Sequence, residues 1–445
     1  VGVSDDEYHA LGDCPAFVCD GLAVKKLMAV NPTILPVYRR ADVTMQRGEG
    51  VYLFDTSGKK YLDFASGIAV NLLGHSHPHL VAEMQKQVSM LWHCSNFFNN
   101  EQLDKYVRRM AELSGLHSVF CCNSGAEAAE AAIKFTRRYH DKTGTPERYR
   151  IIVAEGAYHG RTMATLSACQ NPKVIDGYAP LMDCFDFAPF NNADALEPMI
   201  GAETAAIMLE PIQGEGGIRP HNVAYLQKAR ELCDKYNLLL IFDEVQTGMG
   251  RCGEIFGYEA IQRSKATREA AGEAQRGRVS PPSNTKLKPD MLLLGKGVGG
   301  GFPLAVTIVH EKIAAVMEAG NHGSTYGNNP LAMCAGNAVL DVMLEEGFMP
   351  NMQARAAYLH KRLAELLQKY PHIFSELRGA GMLLGLVTKV SAYELQVALR
   401  EAGLLVVPAG GEVLRVIPPL IIEDSHVDEA MGILENVLEN RVFLA

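Results

Sequence analysis

Met291-Leu292-Leu293-Leu294-Gly295-Lys296-Gly297-Val298-Gly299-Gly300-Gly301 runs four apolar residues straight into a lysine set among glycines. A short apolar run bounded by turn residues is the pattern of a strand covered on both faces. A lysine leaving such a strand is taken out of water, and burial lowers its pKa towards the free amine that a Schiff base needs. Its small neighbours leave room for a flat ring. A nucleotide P-loop is excluded: Asp290 stands where the first glycine belongs, and Gly297 follows the lysine where Ser or Thr is required. The spacing is not a dinucleotide G-x-G-x-x-G opening a helix either.

Outward from this stretch, short apolar runs alternate with helical segments. They are His117–Cys122 before a helix over Ala126–His140, Arg150–Ala154, Ala205–Leu209, a helix over Ala224–Tyr236, Leu238–Phe242, Met291–Leu294 and Leu304–Val309. This rhythm predicts an α/β fold with a mostly parallel sheet between helices. Val51–Phe54 and Tyr61–Phe64 flank Asp55-Thr56-Ser57-Gly58, a hairpin signal. Past residue 348 the order becomes helix (Met352–Leu367), strand (Met382–Val387), helix (Ala392–Ala402) and strand (Glu412–Ile417), a smaller α+β unit. At 445 residues the chain exceeds the roughly 250–300 that one core serves, so more than one domain is expected. The expected division is 1–75 as an N-terminal segment of a small domain, 76–347 as a large domain, and 348–445 as the rest of the small one. Residues 263–288, rich in Ala, Arg, Glu, Ser and Pro, break the rhythm and are read as a surface insertion.

A net charge of −9 offers no basic excess to neutralise phosphates, which argues against nucleic acid or an anionic membrane as partner. No apolar run nears the roughly 18–20 residues that span a bilayer. The cysteines are scattered without a C-x-x-C pair, which reads as reduced thiols in a cytosol-like compartment. The location expected is cytoplasmic, with the mitochondrial matrix as the alternative if a targeting segment preceded Val1.

Three further features carry chemistry. Asn123-Ser124-Gly125-Ala126 joins a strand to a helix, where free N–H groups and the helix dipole bind a phosphate; alone it reads equally as an ordinary N-cap. Asp243 closes the strand Leu239–Phe242, where an acid can keep a ring nitrogen protonated; alone it is also a magnesium ligand or a plain strand-end acid. Gly323-Ser324-Thr325-Tyr326-Gly327 precedes the helix starting near Pro330 and is either a second phosphate contact or a turn. His75, His77 and His79 alternate around Pro78 without a matching cluster, so no metal site is expected. His159 has no nearby Ser or Cys nucleophile in the sequence to serve.

Phosphate turn, Asp, Lys and second turn, in that order, resemble the class III, fold-type I aminotransferases, which use pyridoxal 5'-phosphate (PLP). The matching stretches run from Ile34-Leu35-Pro36-Val37-Tyr38 through Tyr61–Asn71, Asn123–Ala128, Ala157–Thr162, Glu210–Gly217, Phe242–Gly250 and Gly295–Pro303 to His322–Pro330. The resemblance implies that Lys296 binds PLP covalently and moves the proton, and that Asp243 pairs with the pyridine nitrogen. Gln246 is implied at the ring hydroxyl, with Val245 on one ring face and Tyr158, where relatives often have Phe, on the other. Ser124, Gly125 and Ala126 are implied at the phosphate. Thr325 is implied to reach the phosphate of a neighbouring subunit, which makes a homodimer with active sites at its interface.

On the substrate side the resemblance implies Arg161 and Arg415 as carboxylate clamps. Glu215 would neutralise Arg415 while an ω-amine donor is bound, and Ser324 would lie in the substrate region. The expected partners are a small amino donor and a 2-oxo acid. The expected reaction moves the terminal amine of N-acetylornithine or ornithine to 2-oxoglutarate, giving a semialdehyde and glutamate. Gly67-Ile68-Ala69-Val70 favours acetylornithine, and 4-aminobutyrate or a PLP aminomutase reaction are the alternatives. The chain departs from the pattern at Asn328-Asn329, at Cys252 and in the insertion.

Overall fold

The computed structural model describes residues 33–270 and 287–443. Its centre is a seven-stranded sheet. In chain order the strands are β1 (Ser118–Cys122), β2 (Arg150–Ala154), β3 (Phe185–Ala188), β4 (Thr204–Leu209), β5 (Leu239–Asp243), β6 (Met291–Leu294) and β7 (Ala305–Val309). They lie in the order β1-β7-β6-β5-β4-β2-β3. Strands β6, β5, β4, β2 and β3 are parallel neighbours, and β7 runs antiparallel to both β6 and β1. The expected mostly parallel sheet is therefore present. All of β4, β5, β6 and β7 is buried, which is why these strands read as unbroken apolar runs instead of alternating ones. Strand β3, Phe-Asp-Phe-Ala at the sheet edge, is too short and too polar to announce itself in the sequence.

The helix Gly125–Lys142 packs on β6 and β7 through Ala128, Ala129, Ala131 and Ala132, whose small side chains bring its backbone close to the sheet. Ser124 caps it by accepting from Glu127 N, and Glu127 in the first turn with His140 and Lys142 in the last suits the helix dipole. The helix Gly257–Ala270, anchored by buried Tyr258, Ala260 and Ile261 in its first turns, extends into the stretch expected as an insertion; residues 271–286 of that stretch lie outside the described residues.

Two smaller sheets join the chain ends. The strands Met45–Glu49, Tyr52–Asp55 and Lys60–Asp63 form a meander that Leu404–Leu405 extends in parallel from the other end of the chain. Asp55 fixes the hairpin turn by accepting from Ser57 N at 2.9 Å and Lys59 N at 3.0 Å. The strands Phe374–Ala380, Leu383–Thr388, Val413–Val416 and Val407–Ala409 form an antiparallel sheet that carries Arg415. It is tied back by Ile417 N to Phe64 O at 2.9 Å, Leu420 N to Leu72 O at 2.7 Å, and Ser66 Oγ to Ile417 O at 2.7 Å. The buried Arg251 side chain donates to the carbonyls of Met382 and Pro418. No described helix is long and apolar enough to cross a membrane.

Asp290, just before β6, sets β6 against β5. It accepts from Leu240 N at 2.8 Å, Arg230 Nη1 at 2.9 Å and Lys312 Nζ at 2.6 Å. Burial opposes the carboxylate, but Arg230 and Lys312 outweigh it and hold its pKa below the usual range. Asp290→Ala leaves the buried Arg230 only the exposed Asp234 at 2.8 Å and the Lys288 carbonyl, and is expected to cost about 3 kcal/mol in urea unfolding at pH 7. With a lowered folded pKa, that contribution is full above about pH 4 and lost as pH falls through the folded value. The deficit of the variant against the native protein should shrink accordingly in acid.

Candidate active site

The parallel strands end on one side of the sheet, and the chemistry gathers there. Strand β5 ends in Asp243, Lys296 follows β6 by two residues, and Asn123–Ala126 follows β1. Between them lies a cavity of about 230 Å³ lined by Gly125, Ala126, Tyr158, Asp243, Val245, Gln246 and Lys296, with His159, Gly160, Arg161 and Glu210 completing the wall.

Lys296 takes a left-handed backbone, φ 45°, between two glycines. A Cβ on Gly297 would come within 2.5 Å of Leu72, so the turn is tight enough to demand glycine there. Burial lowers the lysine pKa, and Arg415 adds to this while Glu215, Glu210 and Asp243 pull the other way. No described residue takes a hydrogen bond from the amine, which leaves it available to react.

Asp243 Oδ1 accepts from Val245 N at 3.0 Å, and Oδ2 meets His159 Nδ1 at 2.8 Å. Burial works against a charged His159, yet the hydrogen bond and charge of Asp243, helped by Glu210, outweigh it and raise the pKa. The imidazole thus holds the carboxylate in place. The first two helical N–H groups, of Gly125 and Ala126, have no partner within the helix and none elsewhere among the described residues. A Cβ on Gly125 would lie 2.7 Å from Val245, so this glycine keeps the helix end close to the cavity.

Arg161, exposed at the mouth, donates from Nε to Tyr158 Oη at 3.2 Å. Behind Gln246 lies Arg415, 2% exposed. Its Nη1 reaches Glu215 Oε1 at 2.5 Å and Gln246 Oε1 at 3.0 Å, and its Nη2 reaches Glu215 Oε2 at 3.3 Å. Burial raises the Glu215 pKa, but Arg415 outweighs it and holds the acid charged. The Gln246 amide, expected at a ring hydroxyl, is engaged with Arg415 and Glu215 here.

Ser124, Ser324 and Thr325 do not line the cavity. Ser124 is taken up by the cap and by Glu127 Oε2 at 3.0 Å. Ser324 Oγ accepts from Asn123 Nδ2 and Gly327 N, each at 3.1 Å, and Thr325 is exposed. The three histidines at 75–79 are spread apart: His75 pairs with Asp63 at 2.8 Å and His79 with Asp341 at 3.3 Å. Among the described residues no His, Cys, Asp or Glu cluster could hold a metal.

Two residues of the site are not assigned to it from the sequence, where His159 reads as a general base without a nucleophile. His159 meets Asp243 across 84 positions, a separation no local pattern reveals. Glu210 follows β4 as Asp243 closes β5, so the signal of an acid at the end of a buried strand was there to be used. It accepts from Tyr158 N at 3.0 Å and Gly214 N at 3.1 Å, and burial pushes its pKa up to about 7 against the pull of His159.

These groups fit PLP: an amine whose charged form burial disfavours, an acid for the ring nitrogen, a helix N-terminus for the phosphate, and Val245 and Tyr158 as walls. His159→Ala removes the partner of a buried carboxylate and should cost about 3–5 kcal/mol in urea unfolding near neutrality. Because the folded pKa of His159 is raised, the pair contributes fully below about pH 6.5 and fades as pH climbs through the folded value. The gap between native and variant should therefore narrow in alkali.

The aminotransferase class-III family model matches residues 36–265 and 272–438. An acetylornithine aminotransferase of Bradyrhizobium diazoefficiens is 45% identical, over 91% of this chain and 94% of its own. Among solved structures, the ornithine aminotransferase of Toxoplasma gondii superposes with a TM-score of 0.82 at 30% identity, over 92% of this chain and 93% of its own. The N-acetylornithine aminotransferase of Stenotrophomonas maltophilia gives 0.74 at 32%, over 90% and 96%. With family, fold and a lysine–aspartate cavity in agreement, the chain belongs to the class III aminotransferases and is a PLP-dependent transaminase.

Proposed function

We propose that this transaminase takes the terminal amine of N-acetylornithine and passes it to 2-oxoglutarate, yielding N-acetylglutamate semialdehyde and then glutamate. The observation that carries this reading is the buried Arg415 neutralised by Glu215 beside the Lys296 cavity. A donor that presents an ω-amine brings no carboxylate to Arg415, and an unpaired buried cation is costly. An α-amino acid or 2-oxo acid brings its own carboxylate, which displaces Glu215 and pairs bidentately. Arg161 at the mouth suits the distal carboxylate of either substrate. Relatives named for acetylornithine support this choice of donor.

In this reading PLP, bound at Lys296, supplies the electron sink for the carbanion. Asp243, aimed by His159, would pair with the protonated ring nitrogen. Gly125 and Ala126 would donate their N–H groups to the phosphate, with Ser124 capping the same helix. Val245 and Tyr158 would wall the ring, while the Gln246 amide braces the Arg415–Glu215 pair. Once freed by the incoming amine, Lys296 Nζ would take the proton from the amine-bearing carbon of the donor and return it to the carbon on the far side of the transferred nitrogen.

The active form in this proposal is a homodimer in which Thr325 and Ser324 serve the neighbouring subunit's site. Exposure of Thr325, and of Met90, Trp92, Phe97 and Phe98 on the adjoining segment, supports it. Asn96 ties that segment to the turn through Ser324 O and Asn328, each at 2.8 Å. Residues 76–347 form the PLP domain in this scheme, and 1–75 with 348–445 the smaller one.

The test is kcat/KM for N-acetylornithine, ornithine and 4-aminobutyrate, each with 2-oxoglutarate. N-acetylornithine should lead; equal or better turnover of either of the others would overturn the donor assignment. Glu215→Ala frees Arg415 and should raise the ratio of α-amine to ω-amine donor activity by about ten-fold. An unchanged ratio would remove Glu215 from its role.

A further inference from the structure

The two carboxylate-binding arms of the site are joined through one buried acid. Glu210 is 6% exposed and follows β4. Its Oε1 accepts from the backbone N–H of Tyr158, whose hydroxyl takes the hydrogen bond from Arg161 Nε at 3.2 Å. Its Oε2 accepts from the N–H of Gly214, the residue before Glu215, and Glu215 engages Arg415. A continuous chain of contacts therefore runs from Arg161 through Tyr158, Glu210, Gly214 and Glu215 to Arg415.

This chain is stiff for three reasons. Both carboxylate oxygens are used, and in a low-dielectric interior an acceptor that loses its donor is costly. Gly214 is pressed against the Gln246 amide, which a Cβ there would overlap. The next carbonyl, of Glu215, is pinned by Gly410 N at 2.9 Å. The Tyr158 and Gly214 backbones cannot move apart without breaking a hydrogen bond to Glu210, and Arg161 is coupled to them through an exposed hydrogen bond to the Tyr158 hydroxyl.

We propose that Glu210 is a positioning residue that sets the spacing between Arg161 and the Glu215–Arg415 pair, and thereby selects substrates by chain length. The inference rests on the assignment of these two arginines as carboxylate sites. Glu210 touches no reacting atom; it acts through Tyr158 and Gly214. A glutamine here keeps one acceptor oxygen and turns an amide N–H₂ against a backbone N–H, so Glu210→Gln cuts one tether at nearly constant volume.

The experiment measures dissociation constants of the unreactive dicarboxylates succinate, glutarate and adipate for the PLP-loaded enzyme, by calorimetry, beside kcat/KM. The native enzyme should prefer glutarate, the length of 2-oxoglutarate, by about ten-fold over its neighbours. In Glu210→Gln the three constants should converge, and kcat/KM with 2-oxoglutarate should fall about ten- to a hundred-fold. The near-visible absorption of bound PLP should persist, since the groups placed at the cofactor stay in position. Tyr158→Phe cuts only the link to Arg161, leaves the buried acid untouched and should give the same convergence, which guards against a folding defect in the first variant. Retention of the native length preference in Glu210→Gln or in Tyr158→Phe overturns the proposal, whatever the overall activity. A native enzyme without any length preference would instead overturn the assignment of the two arginines, and this inference with it.

Discussion

Taking the Lys296 amine out of water is the constraint on which the rest of the site depends. Burial costs a charged ammonium its hydration, so the amine is pushed towards the neutral form that can react. Asp243 has the opposite need. His159 and the Val245 N–H share its oxygens, which gives a buried carboxylate the partners it requires. Opposite demands on two groups that line one small cavity are met by giving one of them a partner and the other none.

Charge compensation continues outward. Arg415 is buried, and Glu215, Gln246 and the Pro408 carbonyl engage its two terminal nitrogens. It sits on a sheet from the C-terminal part of the chain, while Lys296 and Asp243 end strands of the central sheet. The backbone bonds from Ile417 to Phe64 and from Leu420 to Leu72 therefore matter to chemistry as well as to stability. They hold the strand bearing Arg415 against the segment whose Leu72 presses on Gly297, beside the lysine.

Much of this was legible beforehand because the local signals are strong. Strands buried on both faces have to be apolar throughout, so β2 and β6 appear in the sequence at their observed limits, and the helix Ala392–Ala402 likewise. Lys296 and Asp243 stood out because a charged residue at the end of such a strand is costly without a purpose. Less was legible where the signal is weak. The polar strand Met45–Glu49 and the edge strand Phe185–Ala188 alternate little and are stabilised by their neighbours. The helix through residues 257–270 extends into a stretch whose composition reads as loop.

The sequence by itself determined the central α/β layer, which follows from residue type and order through local physics. The order of its motifs, read as a family resemblance, gave the cofactor class and singled out Lys296 as the candidate reactive lysine. Only the tertiary structure decided that His159 serves Asp243, that Glu210 joins Tyr158 to Gly214, and that the Gln246 amide belongs to Arg415 and Glu215. Apart from Glu210 to Gly214, four positions on, these contacts join groups tens to hundreds of positions apart. Their energy comes from satisfying buried polar atoms in a low-dielectric interior, and that requirement exists only once the chain has closed around them.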